Sequence, residues 1–235
     1  MKPAINKLGT LDCDLVETNP VVFNHRLYRF EYVRPGYGPN DTGDSYFRFV
    51  DWQTQQPTAA FGAGHHLGCA FVDGSTAYVT CVDIWDGEHL LLFVSQDLEH
   101  WERQSILHLP GWGLFNTSLC RTDDGYVLMF EVGKPPQVAG QRFTARFATS
   151  PDLRQWCLTP DECNYSRDRY TAPHCLRYAN GWYYNFYLEA HEGYEQRVVR
   201  SRDLIRWEAS PLNPVLRADS NDRRIARVGL DEASR

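Results

Sequence analysis

The sequence predicts an all-β fold, a β-propeller of four-stranded blades on a five-bladed plan, of which four blades are recognisable. Three observations predict it. A seven-residue turn motif occurs three times at near-constant spacing, a strand–turn–strand pattern occurs four times, and the composition favours strands. Aromatic residues reach 14%, with 7 Trp and 13 Tyr, and such flat side chains pack well on a pleated surface.

The turn motif reads Ser95-Gln96-Asp97-Leu98-Glu99-His100-Trp101, then Ser150-Pro151-Asp152-Leu153-Arg154-Gln155-Trp156, then Ser201-Arg202-Asp203-Leu204-Ile205-Arg206-Trp207. The starts at 95, 150 and 201 lie 55 and 51 residues apart, the period of a repeat architecture. Strand-like runs precede the copies at 90–94, 143–149 and 197–200. The Ser and Asp oxygens suit a tight turn because they accept local backbone N–H groups. The Leu and Trp then tuck beneath it.

The hairpins come earlier in each unit. Their turns are Asn24-His25, Asp73-Gly74, Asp123-Asp124-Gly125 and Ala179-Asn180-Gly181, each flanked by apolar runs. Asp-Gly and Asn-Gly are strong hairpin signals. A hairpin, a third strand, the turn motif and a fourth strand make one blade. The blades fall at 15–62, 63–112, 113–166 and 167–217, within one propeller domain over 1–235. The first matches least, since its third strand at 46–50 runs into Asp51-Trp52 without the full motif. The tail at 218–235 carries Ile225, Ala226, Val228 and Leu230 among charges and is expected to form no full blade.

Charge excludes several classes. Lys and Arg total 24 against 30 Asp and Glu, a net charge of -6 with no basic stripe, which argues against nucleic acid as a partner. No apolar run approaches the ~20 residues of a membrane span. Residues 1–7 lack the apolar core of a secretory signal, so a cytoplasmic location is expected. The seven cysteines (Cys13, Cys69, Cys81, Cys120, Cys157, Cys163, Cys175) include no Cys-x-x-Cys pair. They read as reduced, small hydrophobes rather than zinc ligands. No metal or cofactor is expected.

The blade turn Ser-x-Asp-Leu-x-x-Trp, the Asp-Asp-Gly-Tyr hairpin at 123–126 and Ala172-Pro173-His174 resemble glycoside hydrolase family 43 and its relative, family 32. The resemblance spans about residues 15–217. It implies a carbohydrate ligand at the central axis, and aromatic side chains suit the stacking of sugar rings. It also implies three inner-strand carboxylates: an Asp base, an Asp that tunes, and a Glu acid. Glycosidic cleavage needs a protonated carboxyl at the leaving oxygen and an ionised one opposite, and a third charge separates their pKa values. The matching positions here are Asn19 before Pro20, Asn116 ahead of the Asp-Asp-Gly hairpin, and Thr171 before Ala172-Pro173-His174. All three are neutral and exchange no proton. Either the acids have moved, another group serves, or the protein binds without cutting.

Several residues compete for relocated roles. Glu17 stands two residues before Asn19, so strand alternation places both on one side; the competing reading is an exposed loop carboxylate. Glu31, Glu131 and Glu189 fall late on the second strands of blades one, three and four. Lone strand acids are costly unless paired, and ion pairs with Arg34, Arg169 or Arg197 would also account for them. His174 could replace a carboxylic acid as proton donor, its unperturbed pKa being about 6.5, or it packs or bonds a sugar hydroxyl. His65-His66 opens blade two, but adjacent strand residues point to opposite faces, so a metal pair is not expected. Arg34 and Arg169 carry guanidinium forks suited to a carboxylate or phosphate, or are surface charge.

The catalytic candidates are thus Glu17, Glu131, Glu189 and His174. The substrate-binding candidates are Asn19, Arg34, His66, Asn116, Arg169 and Thr171. The function expected is that of a glycoside hydrolase-like enzyme on small oligosaccharides. The alternatives are a non-catalytic carbohydrate-binding propeller and a protein-interaction propeller.

Overall fold

The computed structural model describes residues 5–6, 15–37, 43–191 and 193–218. From residue 219 onward, the expectation for the tail lies outside the described residues, as does Cys13. Four antiparallel sheets form the ring of a β-propeller. The first holds β1 (Leu15–Phe23), β2 (Arg26–Val33) and β3 (Tyr46–Asp51). The second holds β4 (His66–Asp73), β5 (Thr76–Val82), β6 (His89–Ser95) and β7 (Glu102–His108). The third holds β8 (Gly113–Thr122), β9 (Gly125–Lys134), β10 (Thr144–Ser150) and β11 (Cys157–Leu158). The fourth runs β12 (Thr171–Ala179), β13 (Trp182–His191), β14 (Gly193–Ser201) and β15 (Glu208–Ala209), with β16 (Leu216–Arg217) also on β14.

The first blade departs from the four-stranded expectation. Among the described residues, only two isolated bridges, Phe47 to Phe61 and Val50 to Pro57, continue it beyond β3. Pro57 has no N–H to give the ladder, which keeps this edge from becoming a strand.

Four two-residue turns connect the first and second strands of the blades. Asn24 (φ 47°) and His25 (φ 62°) lie in the left-handed region, as do Asn180 (φ 53°) and Gly181 (φ 72°). That geometry matches strand twist and explains Asn and Gly there. In blade two Asp73 still pairs with Thr76, so the turn is Gly74-Ser75, one residue later than the sequence suggested.

The three motif copies fold alike. Asp97, Asp152 and Asp203 each accept two backbone N–H bonds at 2.8–2.9 Å, from residues two and three further on. These donors hold all three carboxyls below their usual range. Leu98, Leu153 and Leu204 take positive φ (66°, 64° and 61°), and the indole N–H of Trp101, Trp156 and Trp207 donates to those Leu carbonyls at 3.3, 3.2 and 3.0 Å. Trp101 stacks on Phe61 of the preceding blade, centroids 4.0 Å apart, and Trp207 lies 6.0 Å from Phe147 of blade three. The motif therefore closes a turn and seals a blade interface. In blade one Asp51 closes the turn instead, accepting from the N–H of Gln53 and Thr54.

The core lies between the sheets. One cluster joins blades one to three around Phe30, Phe47, Phe49, Leu92, Leu114 and Phe130, all fully buried, and a second joins blades three and four around Phe147, Leu176 and Tyr187. Burying each such side chain contributes about 2 kcal/mol. Inner strands pack in the order β1, β4, β8, β12; among the described residues no comparable packing joins β12 back to β1. No described helix is long and apolar enough to cross a membrane.

Candidate functional site

All four inner strands carry a register irregularity at the end far from the hairpin turn. The shifts lie between Leu15 and Glu17, His66 and Cys69, Phe115 and Thr117, and Thr171 and His174. Bulges bend a strand and re-aim its side chains, and they recur beside binding sites. Counting back from each turn, the seventh residues are Glu17, Leu67, Asn116 and Pro173. All four line one cavity of about 430 Å³. The propeller symmetry thus makes Glu17 and Asn116 counterparts at one level of the axis.

The wall of this cavity is aromatic. Trp85, Phe115, Phe143, Tyr170 and Tyr194 line it together with Arg34. A second cavity, of about 280 Å³, shares Val16, Glu17, Asn116 and Pro173 and adds Asn19, Cys69, His174 and Cys175. Sequence reasoning missed the aromatic wall. The available signal was position, since Trp85, Phe143 and Tyr170 flank the strand ends where the bulges lie.

Glu17 is the carboxyl common to both cavities. It keeps some exposure toward the cavity, yet the surrounding walls desolvate it. That desolvation, with a smaller push from its coupling to the nearby Glu131 carboxyl, pushes its pKa up to about 8. Tyr170 feels both carboxyls as well, and burial pushes its phenol up to about 12.

Glu131 lies fully buried behind this wall. Its Oε2 accepts from Asn116 Nδ2 at 2.8 Å; its Oε1 accepts from the His174 backbone N–H at 3.0 Å and meets His174 Nδ1 at 2.8 Å. Burial pushes the Glu131 carboxyl well above the usual range, against the pull of the Asn116 and His174 donors. Burial, with Arg169 nearby, pushes His174 down to about 3. The pair is held neutral. Asn116 Oδ1, Thr171 Oγ1 and His174 Nε2 are buried with no hydrogen-bond partner among the described residues. Such atoms are rare in folded proteins and mark places where a ligand or water belongs.

The remaining candidates are placed as follows. Asn19 stands fifth before its turn, level with Ser118 rather than with Asn116. Its amide exchanges two 3.0 Å bonds with the Ala70 backbone of blade two. Ser118 makes the matching contact to Leu176 of blade four, at 3.0 and 3.3 Å. Thr171 is fully buried and pairs with Glu189 in the ladder. Glu189 contacts Arg169 (3.5 Å) and Arg197 (3.4 Å). Glu31 is buried between Arg29 (2.6 Å) and Arg48 (2.7 Å) within its own blade. His66 is buried, 2.7 Å from Tyr32 Oη, and is pushed down to about 4 by burial and by Arg34. His65 meets the Asp83 carbonyl at 2.7 Å. Among the described residues no cluster of His, Cys, Asp or Glu could hold a metal ion.

No family model matches this chain, and no curated protein matches it. Solved structures do. The chain is similar to the alpha-L-arabinofuranosidase of Podospora anserina in complex with cellotriose, with TM-score 0.62 at 8% identity, over 90% of this chain and 73% of that one. It is similar to the GH43 protein BlXynB of Bacillus licheniformis, with TM-score 0.59 at 13% identity, over 90% of this chain and 44% of that one. It is also similar to the Bombyx mori GH32 beta-fructofuranosidase, with TM-score 0.57 at 11% identity, over 80% of this chain and 47% of that one. The chain spans less than half the length of the latter two. At these identities the likeness establishes the fold, a β-propeller.

Proposed function

We propose that this chain is a glycoside hydrolase-like enzyme acting on small oligosaccharides in the cytoplasm, with Glu17 as its proton donor. The observation that carries the reading is Glu17 itself, a carboxyl at the wall of both axial cavities whose pKa is pushed up to about 8. A glycosidic oxygen leaves poorly unless it is protonated, and a carboxyl protonated near neutral pH supplies that proton. Glu131 raises the proton affinity of Glu17, and coupled carboxyls release their protons in separate steps. His174, too weak a base to be charged at neutral pH, positions Glu131 instead of donating a proton. The aromatic wall stacks the sugar ring, and the unpartnered Asn116 Oδ1 is suited to accept from a sugar hydroxyl. The fold, shared with solved glycosidases, agrees with this reading by analogy alone.

The test is hydrolysis of an aryl-glycoside panel by wild type and by Glu17→Gln, Glu131→Gln, Glu189→Gln and His174→Ala. Glu17→Gln should lose about 10²–10⁴-fold in rate, the usual worth of general acid catalysis, while Glu189→Gln stays near wild type. A second reading, a propeller that binds carbohydrate without cleaving it, is favoured by the neutral Asn19, Asn116 and Thr171. It takes over if wild type binds a sugar but cleaves nothing in the panel.

A further inference from the structure

We propose that the axial site selects a sugar with a free 2-hydroxyl, and that Asn116 reads this group as a hydrogen-bond acceptor whose orientation Glu131 sets. This deepens the carbohydrate reading of the site and rests on it. Asn116 Oδ1, Thr171 Oγ1 and His174 Nε2 are buried without a hydrogen-bond partner among the described residues. Of these three residues, Asn116 is the one that lines both cavities. It stands seventh before its turn, the level that Glu17 occupies in blade one. A carboxyl that protonates a glycosidic oxygen works at the bond to the anomeric carbon. The hydroxyl nearest that bond is on the adjacent carbon, C2, and hydrogen bonds to it strengthen in the transition state. A residue level with Glu17 is thus suited to C2 rather than to the far side of the ring.

The polarity of the contact follows from what lies behind it. Glu131 Oε1 accepts from the His174 backbone N–H at 3.0 Å, and His174 Nδ1 stands 2.8 Å from the same oxygen. Both side chains are held neutral. The acid proton then lies on Oε1 and is donated to Nδ1, because an imidazole nitrogen is a stronger base than an amide oxygen. Oε2 is left as an acceptor, and Asn116 Nδ2 donates to it at 2.8 Å. The amide therefore turns its NH₂ group toward Glu131 and leaves Oδ1, which accepts and cannot donate. A sugar hydroxyl satisfies Oδ1 by donating to it; a C–H or C–F bond at C2 does not. Leaving a buried acceptor unmet is costly, and sites built around a hydroxyl reject analogues that lack it.

The test is calorimetric binding by the full chain of glucose, galactose and xylose, each with its 2-deoxy and 2-deoxy-2-fluoro forms. The parent that binds should lose about 10–100-fold in affinity in both altered forms, the cost of leaving one buried acceptor unmet. In Asn116→Ala the three forms should bind within about threefold of one another. Glu131→Gln separates a positioning role from a merely structural one. The His174 backbone N–H keeps a carbonyl oxygen at the place of Oε1, so the new NH₂ group faces Asn116 and turns its amide. Asn116 then offers a donor, which a hydroxyl and a fluorine can both accept, and the gap between parent and 2-fluoro sugar should narrow to about threefold. Equal wild-type affinity for all three forms overturns the inference and leaves the carbohydrate reading standing. Discrimination that survives in Asn116→Ala, or a hydroxyl-to-fluoro gap unchanged in Glu131→Gln, also overturns it. Binding of no sugar in the set overturns both.

Discussion

Glu131 Oε1 and His174 Nδ1 lie 2.8 Å apart with neither side chain exposed, joining the second strand of blade three to the inner strand of blade four. The bond ties two blades together immediately behind the axial wall. Because burial holds both partners neutral, it acts as a hydrogen bond rather than an ion pair.

Its replacements should therefore differ in cost. His174→Ala removes a packed ring and a bond, and should destabilise the fold by about 2–4 kcal/mol. Glu131→Gln keeps the shape, and Asn116 can turn its amide to present Oδ1, so the cost should be about 1 kcal/mol. Urea denaturation measures both. A Glu131→Gln loss as large as that of His174→Ala would mean that Glu131 is buried as an anion.

Asn19→Asp restores a carboxylate where the sequence resemblance places one. The structure gives that position another task. The Asn19 amide donates to the Ala70 carbonyl and accepts from the Ala70 N–H. A carboxylate can only accept, so it would face a carbonyl. The expected outcome is a stability loss of about 1–3 kcal/mol and no gain in aryl-glycoside hydrolysis. A rise in hydrolysis would return Asn19 to the reacting centre.

What was legible in the sequence was local. Ser95, Asp97, Leu98 and Trp101 fold one another within seven residues, so three copies announced the blades. Asn24-His25 and Asn180-Gly181 fixed their hairpins for the same reason. The site was less legible because strand-end bulges and packing between blades decide it. Glu31, Glu131 and Glu189 looked like one recurring position. Counted from their turns they stand sixth, seventh and eighth, so one pairs within blade one, one reaches His174, and one meets Arg169 and Arg197. Glu17 was found by alternation from Asn19, yet its true counterpart is Asn116 across the axis. The contact of Asn19 with Ala70, 51 residues away, left no trace in the local pattern.

The stability of the protein should depend on pH through groups of opposite sign. Glu17 has a folded pKa of about 8 against an ordinary 4.5. Its contribution is complete below about pH 4.5 and is lost as pH rises through 8. Glu131 shifts in the same direction. Asp97, Asp152 and Asp203 are shifted down from 3.8, so their contribution is present above that value and lost as pH falls below it. Wild-type urea midpoints should therefore decline between pH 4.5 and 8, with a separate loss under strong acid. Glu17→Gln should flatten the upper decline and leave the acid limb in place. An unchanged upper slope in Glu17→Gln would place its pKa near the ordinary value.

The most direct test of the account is the pH dependence of kcat/KM on the best substrate of the aryl-glycoside panel, for wild type and Glu17→Gln. If Glu17 holds the catalytic proton, wild-type kcat/KM falls above about pH 8 as that proton is lost. The variant then loses about 10²–10⁴-fold near neutral pH, and its falling limb disappears with the carboxyl. A variant that keeps both the wild-type rate and the limb near pH 8 would contradict the assignment.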